Sequence, residues 1–267
     1  MIINIKKALV LLILFFSESS FSLDQKLFDA INDTSRINKD RDEFRHPYET
    51  LNFFGIDKNF KVLEIIPGSG WYTEILSMYL KDSGELTVAS FGNDHKIEYL
   101  RKMHNDFVKK FEVNKNLYGD LKIKKFAKNN VFLGDLNTNY FDMILTFRNT
   151  HNWLKRNQAQ SVYDAIFRVL KPGGILGVVQ HRSFENAKVN FKGENGYVKE
   201  SLMIKLVENS GFKLIEKSEI NKNPKDLKKY SEGVWSLPPT FREGKINKKK
   251  YKLIGESDRM TLKFMKK

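Results

Sequence analysis

Residues Val62-Leu63-Glu64-Ile65-Ile66-Pro67-Gly68-Ser69-Gly70-Trp71-Tyr72-Thr73-Glu74 form an apolar run broken by a glycine pair and continued by helix-forming residues. The run, at 62–66, has the length and apolar character of a strand buried on both faces, as in a parallel sheet. Gly68 and Gly70 let the chain turn sharply and bring bare backbone against a ligand. Glu64 breaks the apolar pattern. A carboxylate inside such a strand is costly unless it accepts hydrogen bonds, so it either holds the loop or faces polar atoms of a ligand.

About a hundred residues on, Leu170-Lys171-Pro172-Gly173-Gly174 stops a helix, and Ile175-Leu176-Gly177-Val178-Val179 starts another buried strand. Between these landmarks, Phe141-Asp142-Met143-Ile144-Leu145-Thr146-Phe147 reads as a further strand. An acidic first strand, a glycine loop, an Asp-led fourth strand and a Leu-Lys-Pro-Gly-Gly turn, in this order and spacing, resemble the class I S-adenosylmethionine-dependent methyltransferases. The stretches 42–47, 67–74, 146–153, 233–239 and 255–260 are further similar to a family of exported bacterial methyltransferases, over nearly the whole chain after residue 22. The resemblance implies a doubly wound, Rossmann-like α/β fold. Its sheet would be mostly parallel, with seven strands of which the last is antiparallel, and an N-terminal helical segment would precede it.

The implied cofactor is S-adenosylmethionine, with its methionine portion at Glu64, Gly68 and Gly70. Tyr72 and Trp71 stand beside the loop, where an aromatic face can meet the cationic sulfonium. Two positions depart from the family's pattern. Ile66 stands where the motif has a further glycine, and Ser90 or Phe91 stands where an acid grips the ribose hydroxyls. Asp94, a few residues on, either substitutes for that acid or caps the following helix. Asp135 matches the position that contacts the adenine amine, or is an ordinary turn aspartate.

The 267 residues suffice for one domain, and no low-complexity linker or repeat divides them. Residues 1–22 differ in character: Lys6 and Lys7 precede an apolar centre at 8–16 and a serine-rich end, the layout of a cleavable signal peptide that touches the membrane only in transit, with an uncleaved anchor or a buried N-terminal helix as the alternatives. The expected mature chain, 23–267, is a single methyltransferase-like domain in the periplasm. With no cysteine, disulfides and thiolate metal sites are excluded. The net charge of +14 would attract polyanions, but the lysines are scattered apart from Lys248, Lys249 and Lys250, which argues against a specific nucleic-acid site.

The strand after the second helix is either 121–126 or 131–133. An amphipathic helix is expected over 94–112, and others over 157–170 and 197–209. Before the last strand, an insertion at about 221–259 holds Trp235, Pro238 and Pro239. It either caps the carboxyl ends of the strands or makes a peripheral excursion.

The densest polar cluster, Arg148-Asn149-Thr150-His151-Asn152-Trp153, leaves the fourth strand at the edge where ligands bind in doubly wound sheets. His151 is the expected base, Arg148 the holder of an anionic group, and Asn149 or Asn152 the group that positions an acceptor. Alternatively, the Arg and Asn side chains only cap the next helix. His181, leaving the fifth strand on the same edge, is the reserve base. No His, Asp and Glu set has metal-ligand spacing, and neither a phosphate-loop nor a nucleophile-elbow motif occurs.

The resemblance and the residues leave three functions open: methyl transfer to a small molecule or envelope component, ligand binding by a methyltransferase fold without catalysis, and surface binding of envelope polyanions or nucleic acid. N-terminal sequencing of the protein recovered from the envelope fraction should begin at Leu23. A mature chain that still begins at Met1 would overturn the signal-peptide reading.

Overall fold

The computed structural model describes residues 23–129, 131–188 and 193–267, and the expected signal segment at 1–22 lies outside them. Seven strands form one sheet: β1 (Lys61–Ile65), β2 (Glu85–Ser90), β3 (Lys122–Lys125), β4 (Phe141–Phe147), β5 (Leu170–His181), β6 (Phe212–Ser218) and β7 (Arg259–Lys266). Their spatial order is β3-β2-β1-β4-β5-β7-β6, and β7 alone runs against its two neighbours. Order reverses between β1 and β4, which pair in parallel with Leu63 beside Ile144. That reversal opens a crevice at the strands' carboxyl ends.

The helices are α1 (Gln25–Asn32), α2 (Asp42–Arg45), α3 (Pro47–Phe54), α4 (Trp71–Leu80), α5 (Glu98–Val113), α6 (Lys115–Tyr118), α7 (Thr150–Lys155), α8 (Ala159–Val169), α9 (Glu200–Glu208) and α10 (Lys248–Ile254). They cover both faces of the sheet. Along β1, Val62 joins the core under α1, α3, α4 and α5, while Leu63 and Ile65 join the core under α8 and α9. This alternation is why the strand has to be apolar throughout.

Asp142, at the head of β4, fixes register by two bonds: it accepts from Lys61 N–H at 2.8 Å and pairs with Lys171 at 2.5 Å. Lys266, near the end of β7, donates to Phe167 O at 2.6 Å and Leu170 O at 2.8 Å, satisfying carbonyls where α8 ends. The chain is already extended at Leu170, ahead of Pro172.

The third strand proves to be 122–125, at the sheet edge beside β2. Val131 and Phe132 pair instead with Ala127 and Lys128 in a separate two-stranded ribbon. Helix α5 begins at Glu98, not at 94. Asp94 supplies it no cap, because that carboxylate pairs with Lys125 at 2.7 Å. The insertion runs between β6 and β7 and is tied down at both ends: Arg182 bonds Glu219 at 2.6 Å and Asp258 at 3.0 Å. In its middle, Val234 N–H bonds Asn195 O at 3.0 Å. No helix among the described residues is long and apolar enough to cross a membrane.

Gly177 on β5 is where α3 approaches the sheet most closely: a Cβ there would lie 2.7 Å from Leu145 Cδ2 and 2.8 Å from Phe54 Cδ2. Overpacking so tight a contact costs about 1–3 kcal/mol. Gly177→Val should therefore lower the urea midpoint of unfolding, and an unchanged midpoint would show that α3 is free to move away.

Candidate functional site

Residues at the carboxyl ends of β1, β2, β4 and β5 line one cavity of about 480 Å³, within the range that encloses small molecules. Ile66, the first residue after β1, has φ +48, a left-handed conformation that β-branched residues avoid. Both neighbouring strands hold it there. Its N–H bonds Ala89 O at 2.8 Å, and Asn149 Nδ2 donates to Ile65 O at 2.8 Å and Ile66 O at 3.3 Å. The backbone thus makes the turn that glycine would make, while the Ile66 side chain narrows the cavity.

Gly68 has φ +64, and nothing lies within 4 Å of where its Cβ would be, so the backbone faces open space. Gly70 serves packing as well: at φ +85 its missing Cβ would sit 2.7 Å from the Phe111 ring. Glu64 is buried, and Thr73 Oγ1 donates to its Oε2 at 2.5 Å. Burial raises its pKa to about 7 against the lowering effect of Thr73, so the carboxyl exchanges its proton near neutrality. Tyr72 stacks on Phe147 at 3.6 Å between ring centroids, and both line the cavity. Trp71 also lines the cavity, with the Arg45 guanidinium 4.5 Å from its ring.

Of the strand-four cluster, Arg148, Asn149, His151 and Asn152 line the same cavity. Asn149 is committed to the carbonyls of the glycine loop and ties β4 to β1, so its amide N–H groups do not position an acceptor. Arg148 is left-handed, φ +63, and no hydrogen bond or ion pair within the described residues engages its guanidinium. Burial pulls its pKa down to about 10, against the opposing pull of Glu256.

His151 is buried beside Gln180, whose Nε2 donates to Gly196 O at 3.0 Å and lies 3.3 Å from His151 Nδ1. Gly196 O fixes the amide's orientation, so Nδ1 accepts and the ring proton sits on Nε2. Burial lowers the His151 pKa to about 4, and burial likewise holds His181 well below the usual range. Both rings are neutral at physiological pH. His181 Nδ1 lies 2.5 Å from Ser257 Oγ.

The insertion and the N-terminal helices complete the walls. Trp235 meets His151 edge to face at 5.7 Å, and the Arg242 guanidinium covers Trp235 at 4.6 Å. Pro238, Pro239, Glu256 and Ser257 also line the cavity, so the insertion takes the capping course. Arg45 and Glu256, which the sequence reading passed over, reach it from opposite ends of the chain.

A side chamber of about 230 Å³ shares Ile66 and Phe91 with the cavity and is lined by Phe126, Phe132 and Trp153. Among the described residues no acid replaces the missing one at the end of β2: Ser90 Oγ is 3.0 Å from His104 Nδ1, and Asp94 is held by Lys125. Asp135 is absent from both linings. It lies in the turn after the two-stranded ribbon, half exposed and 4.0 Å from Lys128.

No family model matches the chain. A sterol 24-C-methyltransferase of Neurospora crassa, erg-4, is 26% identical over 189 residues, covering 66% of this chain and 45% of that protein. The chain thus spans about half the length of the curated relative it matches. A crystal structure of a SAM dependent methyltransferase from Aquifex aeolicus is similar at 20% identity and TM-score 0.54, covering 74% of this chain and 92% of that one. The [4+2]-cyclase SpnF is similar at 14% identity and TM-score 0.58, over 91% and 92% of the two chains. The glycopeptide N-methyltransferase MtfA complexed with S-adenosyl-L-homocysteine is similar at 13% and TM-score 0.52, over 84% and 90%. With its strand order and single reversed strand, the chain has the class I S-adenosylmethionine-dependent methyltransferase fold.

Proposed function

We propose that the protein binds S-adenosylmethionine and transfers its methyl group to a small molecule held beside Arg148, His151 and His181. The observation that carries this reading is the opening of Glu64, the glycine loop and the strand-four cluster into one cavity on this fold. The residues fit the cofactor. Glu64 offers a buried carboxyl with one oxygen engaged, by Thr73, for the cofactor's ammonium. Gly68 leaves room for close backbone approach, and the aromatic side chamber suits a purine ring.

When bound, the cofactor supplies a methyl carbon made electrophilic by the sulfonium charge. The chain's own residues bind and align. The stacked Tyr72 and Phe147 offer an aromatic wall to a cation. Trp235, Pro238 and Pro239 wall the cavity on the insertion side. His151, protonated on Nε2, donates to an acceptor oxygen and is not the base. His181, when its Nδ1 donates to Ser257 Oγ, leaves a bare Nε2 that accepts a hydrogen bond from a hydroxyl or amine acceptor and orients it.

Export through residues 1–22 belongs to the same proposal, and it requires that the cofactor be available outside the cytosol. A second reading, ligand binding without methyl transfer, is favoured by one observation: among the described residues no free carboxylate stands at the end of β2 to hold a ribose.

Titration calorimetry with S-adenosylmethionine and S-adenosylhomocysteine should give dissociation constants near about 1–10 μM, lost in Gly68→Val. Glu64 carries a proton below its pKa of about 7, and an ammonium beside it favours the charged form. Binding at about pH 6.5 should therefore release a proton, seen as a heat that varies with buffer ionisation enthalpy and is constant in Glu64→Gln. A buffer-independent heat in the wild type would remove Glu64 from the site. Failure of either nucleoside to bind would favour the second reading. Nitrogen NMR should show His151 neutral and protonated on Nε2 at about pH 6; an imidazolium signal there would overturn its assignment as a neutral donor.

A further inference from the structure

The wall made by α2, the end of β4 and the start of β7 carries more positive charge than the protein neutralises. Four guanidiniums, those of Arg41, Arg45, Arg148 and Arg259, surround the carboxylate of Glu256. Arg41 approaches Glu256 Oε1 at 2.5 Å, Arg259 approaches Oε2 at 3.1 Å, and Arg45 Nε approaches Oε2 at 3.4 Å. Burial raises the Glu256 pKa, but Arg259, Arg45, Arg148 and Arg41 together outweigh it and hold the carboxyl at about 2. Glu256 is therefore fully ionised and already shared.

Two donors are left over. Arg45 is 1% exposed, and its Nη2 is buried with no hydrogen-bond partner among the described residues, although Arg45 lines the cavity. Arg148 also lines the cavity, without an ion-pair partner among the described residues, and the left-handed backbone at φ +63 aims it there from the end of β4. Buried donors and desolvated cations are normally paired, and guanidinium suits a carboxylate or phosphate because its fork bonds two oxygens at once. Strain at a non-glycine residue persists where the placement of its side chain matters.

We propose that the methyl acceptor is an anion, a small molecule whose carboxylate or phosphate docks on Arg148. This rests on the reading of the cavity as a methyltransferase site. The cofactor's own carboxylate is the other anion within reach. Arg45, over Trp71 beside the glycine loop, is its natural partner. Arg148, which shares its strand end with His151 and Asn152, faces the acceptor.

The test titrates inorganic phosphate and malonate into protein saturated with S-adenosylhomocysteine, for the wild type, Arg148→Gln and Arg148→Lys. The wild type should bind at least one anion. Arg148→Gln should weaken it by about tenfold or more and Arg148→Lys by less, because lysine keeps the charge and loses the fork. Affinity for S-adenosylhomocysteine should stay within about twofold in both variants, which also shows that they fold. The proposal is overturned if the loaded wild type binds neither anion, or if Arg148→Gln leaves anion binding intact. It is also overturned if Arg148→Gln weakens S-adenosylhomocysteine but not 5′-methylthioadenosine, which lacks the carboxylate; Arg148 would then serve the cofactor. Anion binding that depends on Arg148, in protein that binds no S-adenosylhomocysteine, would leave the anion site standing and remove the methyltransferase reading.

Discussion

The carboxylate of Glu256 is the point on which the site's architecture closes. It sits at the end of the insertion, yet its partners Arg41 and Arg45 lie more than two hundred residues earlier. Arg259 joins them and also donates to Phe44 O at 2.8 Å, binding the start of β7 to the end of α2. Desolvating several charges is costly, and such a cluster persists only where geometry and added hydrogen bonds offset that cost. Here it joins the N-terminal helices, the insertion and the last strand around one cavity. The surplus of guanidinium over carboxylate then sets the sign of the electrostatic field inside.

Opposite this cationic wall stands Glu64, the one acid on the glycine-loop side of the cavity. The two walls suit a ligand, or a pair of ligands, with an ammonium at one end and an anion at the other. Backbone strain marks the same boundary. Ile66 and Arg148 follow β1 and β4, the two strands at the topological switch, and both are left-handed. Asn149 reaches from one strand end to the other, so the conformations of the two strained residues are coupled through a single side chain.

Local signals made the frame legible. Buried strands, the glycine loop and the stop at Pro172 each declare themselves within a dozen residues, and β1, α4, β4 and β5 stand where the pattern put them. The third strand was ambiguous because Lys122–Lys125 is an edge strand with one apolar residue, whereas Val131, Phe132 and Leu133 look more like a strand yet only two of them pair. Asp94 supplies no helix cap because it takes a lysine partner that pattern reading does not see, and Asp135 sits in a turn, half exposed beside Lys128, as one of its two readings has it. Arg148, His151 and Asn152 were legible as a cluster, but the tautomer of His151 depends on Gln180 and Gly196, which lie beyond local reach. The arginine cluster was invisible because it joins distant segments. Its separate pieces did stand out, Arg45 in the stretch 42–47 and Glu256 with Arg259 in 255–260, but nothing local joins them.

The position of β7 has a consequence for how the molecule is made. It is the last strand in sequence, but it lies between β5 and β6, and β6 has no other neighbour in the sheet. Without residues 259–266, β6 has no partner in the sheet on either edge, and the Glu256 cluster lacks Arg259. The sheet and the roof of the cavity are therefore completed together, in a late step built on contacts of long sequence separation. A chain short of that strand holds the glycine loop and the strand-four cluster but neither a partner for β6 nor the complete set of charges around Glu256.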